Sequence, residues 1–374
     1  MTRRAQSGLS LVELMVGVLI GMLTVLAITQ VLMSTEGRKR TTADGSDAQL
    51  NGTLALYALQ RDVQMAGYGL TARPAAMGCT VQAQYGTGTS PGLQNWPLVP
   101  ARITFGANAA TPDQLTLWMS SKNTHAVPLR VTENHAKTDT RFVVAGSFGS
   151  AAGDLVVAVP PSPSATSPCA LMAIAGDSST TLTNTQVPHL ATANGWNAAG
   201  SDLVPTAGYP AGSHLINLGA GLPRTYRIDA AKALVATDIQ VANGLSTTQT
   251  VAPQIVQLKA LYGKDTDGNG TIDQFDAVTP TDNAGWRTVM ALRVAVVARS
   301  AQFERRVGTS DPVTPAIGVE WAVDNLTSGG VACSTDTSRK CIRIDVSDVG
   351  ADWQQYRYKV FYTVIPLRNM LWTR

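Results

Sequence analysis

The chain begins with a short polar stretch and then turns apolar. Residues 9–33 read LSLVELMVGVLIGMLTVLAITQVLM, and Glu13 is the single charge among these 25 positions. As a helix the run extends about 37 Å, more than the ~30 Å hydrocarbon core of a bilayer, so it predicts a transmembrane helix. An ordinary secretory signal has a shorter apolar region followed by a small-x-small cleavage site. This run is too long for that, and the following ITQVLMSTEG offers no such site. A second pattern occupies residues 46–66. Leu50, Leu54 and Tyr57 form one stripe, and Leu56, Leu59, Val63 and Ala66 form the next. These steps of three and four predict an amphipathic helix with a broad apolar face. No proline occurs between Met1 and Arg73, so the two patterns can belong to one helix. The polar stretch from Arg38 to Asp47, with Gly37 and Gly45, is where it should loosen. Gly67 and Gly69 should end it.

Beyond Arg73 the texture changes. Short alternating or β-branched runs recur between turns rich in Gly, Pro, Asn and Ser, at 102–105, 114–119, 141–145, 155–159, 214–218, 224–228, 289–298, 342–346 and 356–365. This predicts a large, mostly antiparallel β domain with long loops. Residues 160–168 read as an exposed Pro/Ser-rich loop. The expected fold class is α+β, with a long N-terminal helix packed on a β-rich head. The expected divisions are 1–8, a leader; 9–33, the membrane half of the helix; 34–70, its continuation; and 71–374, the head.

Composition narrows the function. At 44% hydrophobic and 15% charged, the chain can bury a core. A formal charge of +3 with no basic block beyond Arg38-Lys39-Arg40 gives no nucleic-acid signal. The four cysteines form no CxxC pair, which argues against zinc. An even number in a translocated chain suggests two disulfides. Three pairings are possible. The short polar loop favours Cys333–Cys341, which leaves Cys79–Cys169. His125, His135, His189 and His214 are scattered, and there is no HExxH, GxSxG or P-loop. Nothing in the sequence proposes catalysis, and an enzyme is not expected.

Glu13 gives the apolar run its meaning. An ionisable residue in a membrane segment is a functional-site candidate whose partner must be found. It lies four residues past Leu9, about 6 Å along the helix. Cutting after Gly8 would create a free α-amino group on Leu9, and that amine on a neighbouring copy could neutralise the carboxylate. Gly8 followed by Leu9-Ser10-Leu11-Val12-Glu13, behind Arg3 and Arg4, resembles the type IV prepilin motif. The family's usual first mature residue is Phe; Leu9 keeps the apolar character. The resemblance implies cleavage after Gly8 and N-methylation of Leu9 by a prepilin peptidase. Arg3 and Arg4 favour a cytoplasmic N-terminus, while the charges after the run weaken that count. The leader and the cysteines decide the orientation.

The stretch from Asp265 to Asp276, DTDGNGTIDQFD, fits a twelve-residue calcium loop. Asp265, Asp267, Asn269 and Asp273 fall at positions one, three, five and nine, with Thr271 at seven and Gly270 at six for the sharp turn. Asp276 stands at position twelve, where a longer Glu is usual, so affinity should be lower. The flanks look strand-like. A tight polar hairpin is the alternative. Calcium is the one cofactor expected.

Three further segments resemble the PilW family of minor pilins. They are LQRDVQMAGY from Leu59, YGKDTDGNG from Tyr262, and VFYTVIPLRN from Val360. The resemblance implies a low-abundance subunit that joins other minor pilins, and then the major pilin, in priming pilus assembly. Before assembly it would sit among inner-membrane lipids of a Gram-negative bacterium with its head in the periplasm; afterwards it would lie in the pilus. A minor pseudopilin of a type II secretion system and a membrane-anchored adhesin are the alternatives.

Overall fold

A computed structural model of the protein describes residues 11–85, 88–89, 96–122, 127–176, 181–189, 196–197, 203–220, 223–239, 246–303, 313–316, 318–327 and 329–371, with side chains except at 34, 36–44, 88–89, 239 and 371. Gly8 and Leu9 lie outside the described residues.

One α-helix, α1, runs from Leu11 to Met65. At ~1.5 Å per residue it is roughly 80 Å long. It does not loosen between Arg38 and Asp47: the helix is unbroken through Gly37 and Gly45. Glycine there costs only about 1 kcal/mol each, and without proline every interior N–H keeps its acceptor four residues back. The end falls where the glycines put it. Gly67 adopts φ +82°, a left-handed conformation that stops the helix.

The two apolar stripes of the second half have different fates. Of the second stripe, Leu59, Val63 and Ala66 are buried in the main core, joined by Ala55, and Leu56 packs against it half-buried, whereas Leu50, Leu54 and Tyr57 of the first are 67%, 46% and 65% exposed. Gly52 lets the helix lie close on the head, because a Cβ there would run into the Phe361 ring.

The head is built of sheets. A four-stranded antiparallel sheet lies beneath the helix, in the order Gln274–Asp276, Ile255–Lys264, Val289–Arg299, Tyr358–Pro366. A five-stranded antiparallel sheet completes the main core, in the order Ser246–Ala252, Leu234–Ile239, Arg224–Ile228, Gln114–Leu117, Ala101–Thr104. A six-stranded sheet centred on Leu155–Val159 and Cys169–Ala173 carries a core on each face. Leu155, Val157 and Val159 turn to one side, and Val156 and Ala158 to the other. Burial on both faces explains the unbroken apolar runs LVVAV and CALMA. Among the named strand pairs only Thr80–Gln82 with Cys169–Ala173 is parallel. The Cys79–Cys169 disulfide lies at that pair, and Cys333–Cys341 closes a short loop beside the strand Lys340–Ile344.

A buried carboxylate fixes α1 to the five-stranded sheet. Asp62, in the last turn of α1, accepts hydrogen bonds from Tyr226 Oη at 2.6 Å, Arg224 Nη1 at 2.7 Å and Arg61 Nε at 2.9 Å. Arg224 also grips Asp238 through Nε and Nη2, each at 2.8 Å. Burial opposes ionisation of Asp62, but the combined hydrogen bonds from Tyr226, Arg224 and Arg61 hold its carboxyl below the usual range.

Two outcomes follow for the full-length chain in detergent. Asp62→Ala should destabilise the head by about 2–4 kcal/mol, because the Tyr226 hydroxyl loses its acceptor and Arg224 one of its two carboxylates; denaturant unfolding followed by tryptophan fluorescence measures this. The depressed pKa makes the contribution of Asp62 complete above the ordinary carboxylate pKa and lost as pH falls through the lower folded value. Between pH 7 and pH 3 the wild type should therefore lose more stability than Asp62→Asn, which cannot titrate.

Candidate functional site

Among the described residues, nothing packs on the first half of α1. Leu11–Met33 has a mean hydropathy of 2.5, and none of it is buried within the chain. Leu14, Val18 and Leu19, each about 60% exposed, illustrate a helix apolar all round, the pattern of a membrane span rather than of an amphipathic surface helix. Glu13 stands in its first turn, exposed. Leu50, Leu54 and Tyr57 carry exposed apolar surface onto the head half.

The acidic loop lies near the other end of the helix. It is the hairpin connection between the strands Ile255–Lys264 and Gln274–Asp276. Asp265, Asp267 and Asp273 each place a carboxylate oxygen within 4.8 Å of the others. Asp265 is buried and shapes the turn: Oδ1 accepts from Gly268 N at 2.7 Å and Oδ2 from Gly270 N at 2.8 Å. Both glycines have positive φ, +79° and +88°, as the sharp turn requires. Asp273 Oδ2 accepts from Thr266 N at 2.6 Å and Thr266 Oγ1 at 2.9 Å. Those bonds from Thr266 hold the Asp273 carboxyl below its ordinary range. Asn269 Oδ1 accepts from Thr271 N at 2.7 Å, and Asn269 Nδ2 donates to Asp267 Oδ2 at 2.9 Å.

Asp276 is not brought to this cluster. Both its oxygens lie on Lys264 Nζ, at 2.8 and 2.9 Å, in a buried ion pair across the two strands. The reason is the strand register: Tyr262 pairs with Asp276 and Lys264 with Gln274, so the twelfth residue of the motif already belongs to the sheet. What remains is three converging carboxylates without a twelfth-position ligand. Such hard oxygen donors suit a calcium ion that completes its shell with water.

The structure also joins residues that no motif connects. His135 Nε2 and His189 Nε2 lie 2.7 Å apart, 54 residues apart in sequence, with His135 stacked on Phe142 at 3.8 Å. Burial, and after it His135, hold His189 at a pKa of about 4, so at neutral pH the pair shares a hydrogen bond without charge. The strand pair Arg141–Val143 with Gln186–Pro188 and the bridge from His135 to Tyr209 bring them together. Asp62 is likewise met by Arg224 and Tyr226 from across the fold. Its only sequence signal is a carboxylate at the point where the buried stripe of α1 should be apolar.

Comparisons with known proteins locate the resemblance in the C-terminal part of the head. No curated protein matches the chain, and no solved structure does. The family model described as Type IV Pilus-assembly protein W matches residues 224–369. That span holds the four-stranded sheet, the acidic loop and the Cys333–Cys341 bridge; α1 and the six-stranded sheet lie outside it. Through this match residues 224–369 of the chain are similar to the type IV pilus-assembly protein W family.

Proposed function

We propose that the chain is a minor pilin, incorporated in low copy, that helps prime assembly of a type IV pilus. The observation that carries the reading is the division of α1. One half is fixed to the head through Asp62 and a buried stripe; the other, from Leu11 to Met33, is apolar on every side and covered by none of the described residues. A helix built this way needs a partner, first lipid and then the helices of other subunits. The pilus family match supports the second step.

The chemistry is assembly rather than catalysis. A prepilin peptidase cuts after Gly8 and methylates Leu9. The head stands in the periplasm, where the disulfides Cys79–Cys169 and Cys333–Cys341 are stable. When the chain leaves the inner membrane, the apolar half of α1 exchanges lipid for the helices of the other minor pilins and the major pilin. Because lipid is as apolar as these side chains, the exchange sets affinity through packing and leaves register to polar groups. Glu13 supplies that register by pairing with the Leu9 amine of a neighbour. The exposed Leu50, Leu54 and Tyr57 extend the contact onto the head half. Calcium held by Asp265, Asp267 and Asp273 stiffens the hairpin, at a point more than ~70 Å along α1 from Glu13, so it acts on the head and not on the helix contact.

Two measurements test these roles. Glu13→Ala should be cleaved at Gly8 normally but recovered in sheared pili at one-tenth or less of the wild-type amount, with membrane levels unchanged; wild-type recovery contradicts the pairing. For the loop, 5 mM calcium should raise the Tm of the detergent-solubilised full chain by about 2–4 °C, as expected for a site of sub-millimolar affinity. Chelation should reverse the shift and Asp267→Ala should abolish it, and an unmoved wild-type Tm removes calcium from the account.

A further inference from the structure

Among the described residues, the four-stranded sheet under α1 is closed on one edge and open on the other. At the closed edge, the three-residue strand Gln274–Asp276 is covered: Phe275 N donates to Asn325 O at 3.0 Å, and Thr327 N to Phe275 O at 3.3 Å. The other edge is Tyr358–Pro366, nine residues long and paired on one side only, with Val289–Arg299.

Antiparallel pairing alternates, so half the backbone groups of an edge strand turn outwards. Which half is fixed at both ends here. Ser300 N donates to Arg357 O at 2.9 Å, and Leu367 N donates to Met290 O at 2.9 Å. With the register between them, the inward residues are Lys359, Phe361, Thr363 and Ile365. Val360, Tyr362 and Val364 therefore present N–H and C=O to the open side, and none of these groups has a backbone partner among the described residues. Tyr362 and Val364 are also 45% and 41% exposed.

Natural sheets blunt such an edge with short strands, proline, bulges or charges. The strand has Lys359 near its start and Pro366 at its end, but the five residues 360–364, VFYTV, carry no charge, proline or glycine, and the register there is unbroken. The other long edge of the head, Ser246–Ala252, reads STTQTVA and is largely polar. Among the described residues, the C-terminal strand is thus a long apolar edge without a cover.

We propose that this edge receives an extended strand of another pilus subunit, which adds to the sheet through its main chain. The idea rests on the reading above that the chain enters a pilus complex. A second copy of this chain is a poor occupant for a geometric reason. The strand runs in the same sense as α1: Lys359 Nζ meets Gln49 Oε1 at 3.3 Å, Phe361 covers Gly52, and Asn369 Nδ2 reaches Ala66 O at 3.0 Å. Two copies in one membrane have parallel helices, hence parallel edges. A two-fold axis along those edges sets identical residues opposite each other, whereas a parallel ladder needs them offset so that each residue bonds the two flanking its partner. A different subunit is under no such restriction. The groups on offer specify it: a proline-free extended segment with apolar side chains on the face beside Tyr362 and Val364.

Tyr362→Pro separates backbone from side chain, because it deletes an outward N–H and no bond to Val289–Arg299. Tyr362→Ala keeps that N–H. Both full-length variants are expressed in the pilus-bearing host, and the amount in sheared pili is measured relative to the membrane pool. The expected result is at least a tenfold fall for Tyr362→Pro and less than threefold for Tyr362→Ala. Equal falls, or no fall for Tyr362→Pro, overturn the proposal. Amide exchange on the wild type covers the event that the proline variant does not accumulate. Val360, Tyr362 and Val364 should exchange quickly in the detergent-solubilised chain and at least tenfold more slowly in the purified pilus complex, while Phe361 and Thr363 are slow in both. Slow exchange already in the isolated chain means that its own residues cover the edge, and fast exchange in the complex means that nothing does; either overturns the proposal. Absence of the wild-type chain from sheared pili defeats the pilus reading itself, whereas presence with a fast edge defeats only the docking site.

Discussion

The structure depends on a carboxylate buried between a helix and a sheet. Asp62 sits in the last turn of α1 and is gripped by Tyr226 and Arg224 from the strand Arg224–Ile228. Burial of a lone carboxylate would be costly; here hydrogen bonds from a hydroxyl and two guanidinium groups replace the lost water. The apolar stripe Ala55, Leu59, Val63 and Ala66 supplies most of the adhesion, but apolar contact is tolerant of sliding. The Asp62 bonds are directional, so they fix where along the sheet the helix ends. With that end fixed, the apolar half of α1 leaves the head in one defined direction.

The long helix was legible because its cause is local. A proline-free chain with one uninterrupted apolar run and one periodic stripe has few alternatives, and glycine alone proved too weak a signal to break it. The fate of the stripe was not legible. Leu50, Leu54 and Tyr57 are as apolar as the residues that became core, yet they face outwards, because which side of a helix is buried depends on the sheet it meets. Sheet strands were readable where both faces are buried, as in LVVAV, or where alternation is clean. Ser246–Ala252 was missed, since a run of Ser, Thr and Gln at a solvent-facing edge has no apolar period to detect.

The candidate sites divide along the same line. Glycine positions and carboxylate spacing in the acidic loop are local, and Asp265, Asp267 and Asp273 do converge. Asp276 was misread because a motif written as a string takes no account of strand register, which assigns that residue to Lys264. The His135–His189 contact and the Asp62 cluster join residues 54 and more than 160 positions apart, and no spacing rule reaches that far. The family match falls on residues 224–369, where the acidic loop and the C-terminal strand also lie. The six-stranded sheet with its two cores is outside that span, so the shared part of the head is the part nearest the helix.

Whether processing turns the exposed helix into an assembly surface is decided by the mass of the N-terminal peptide of the chain isolated from the host membrane. The expected peptide begins at Leu9 and is heavier by one methyl group on its amine, with residues 1–8 gone. A peptide still beginning at Met1, or a Leu9 amine without the methyl group, would contradict it.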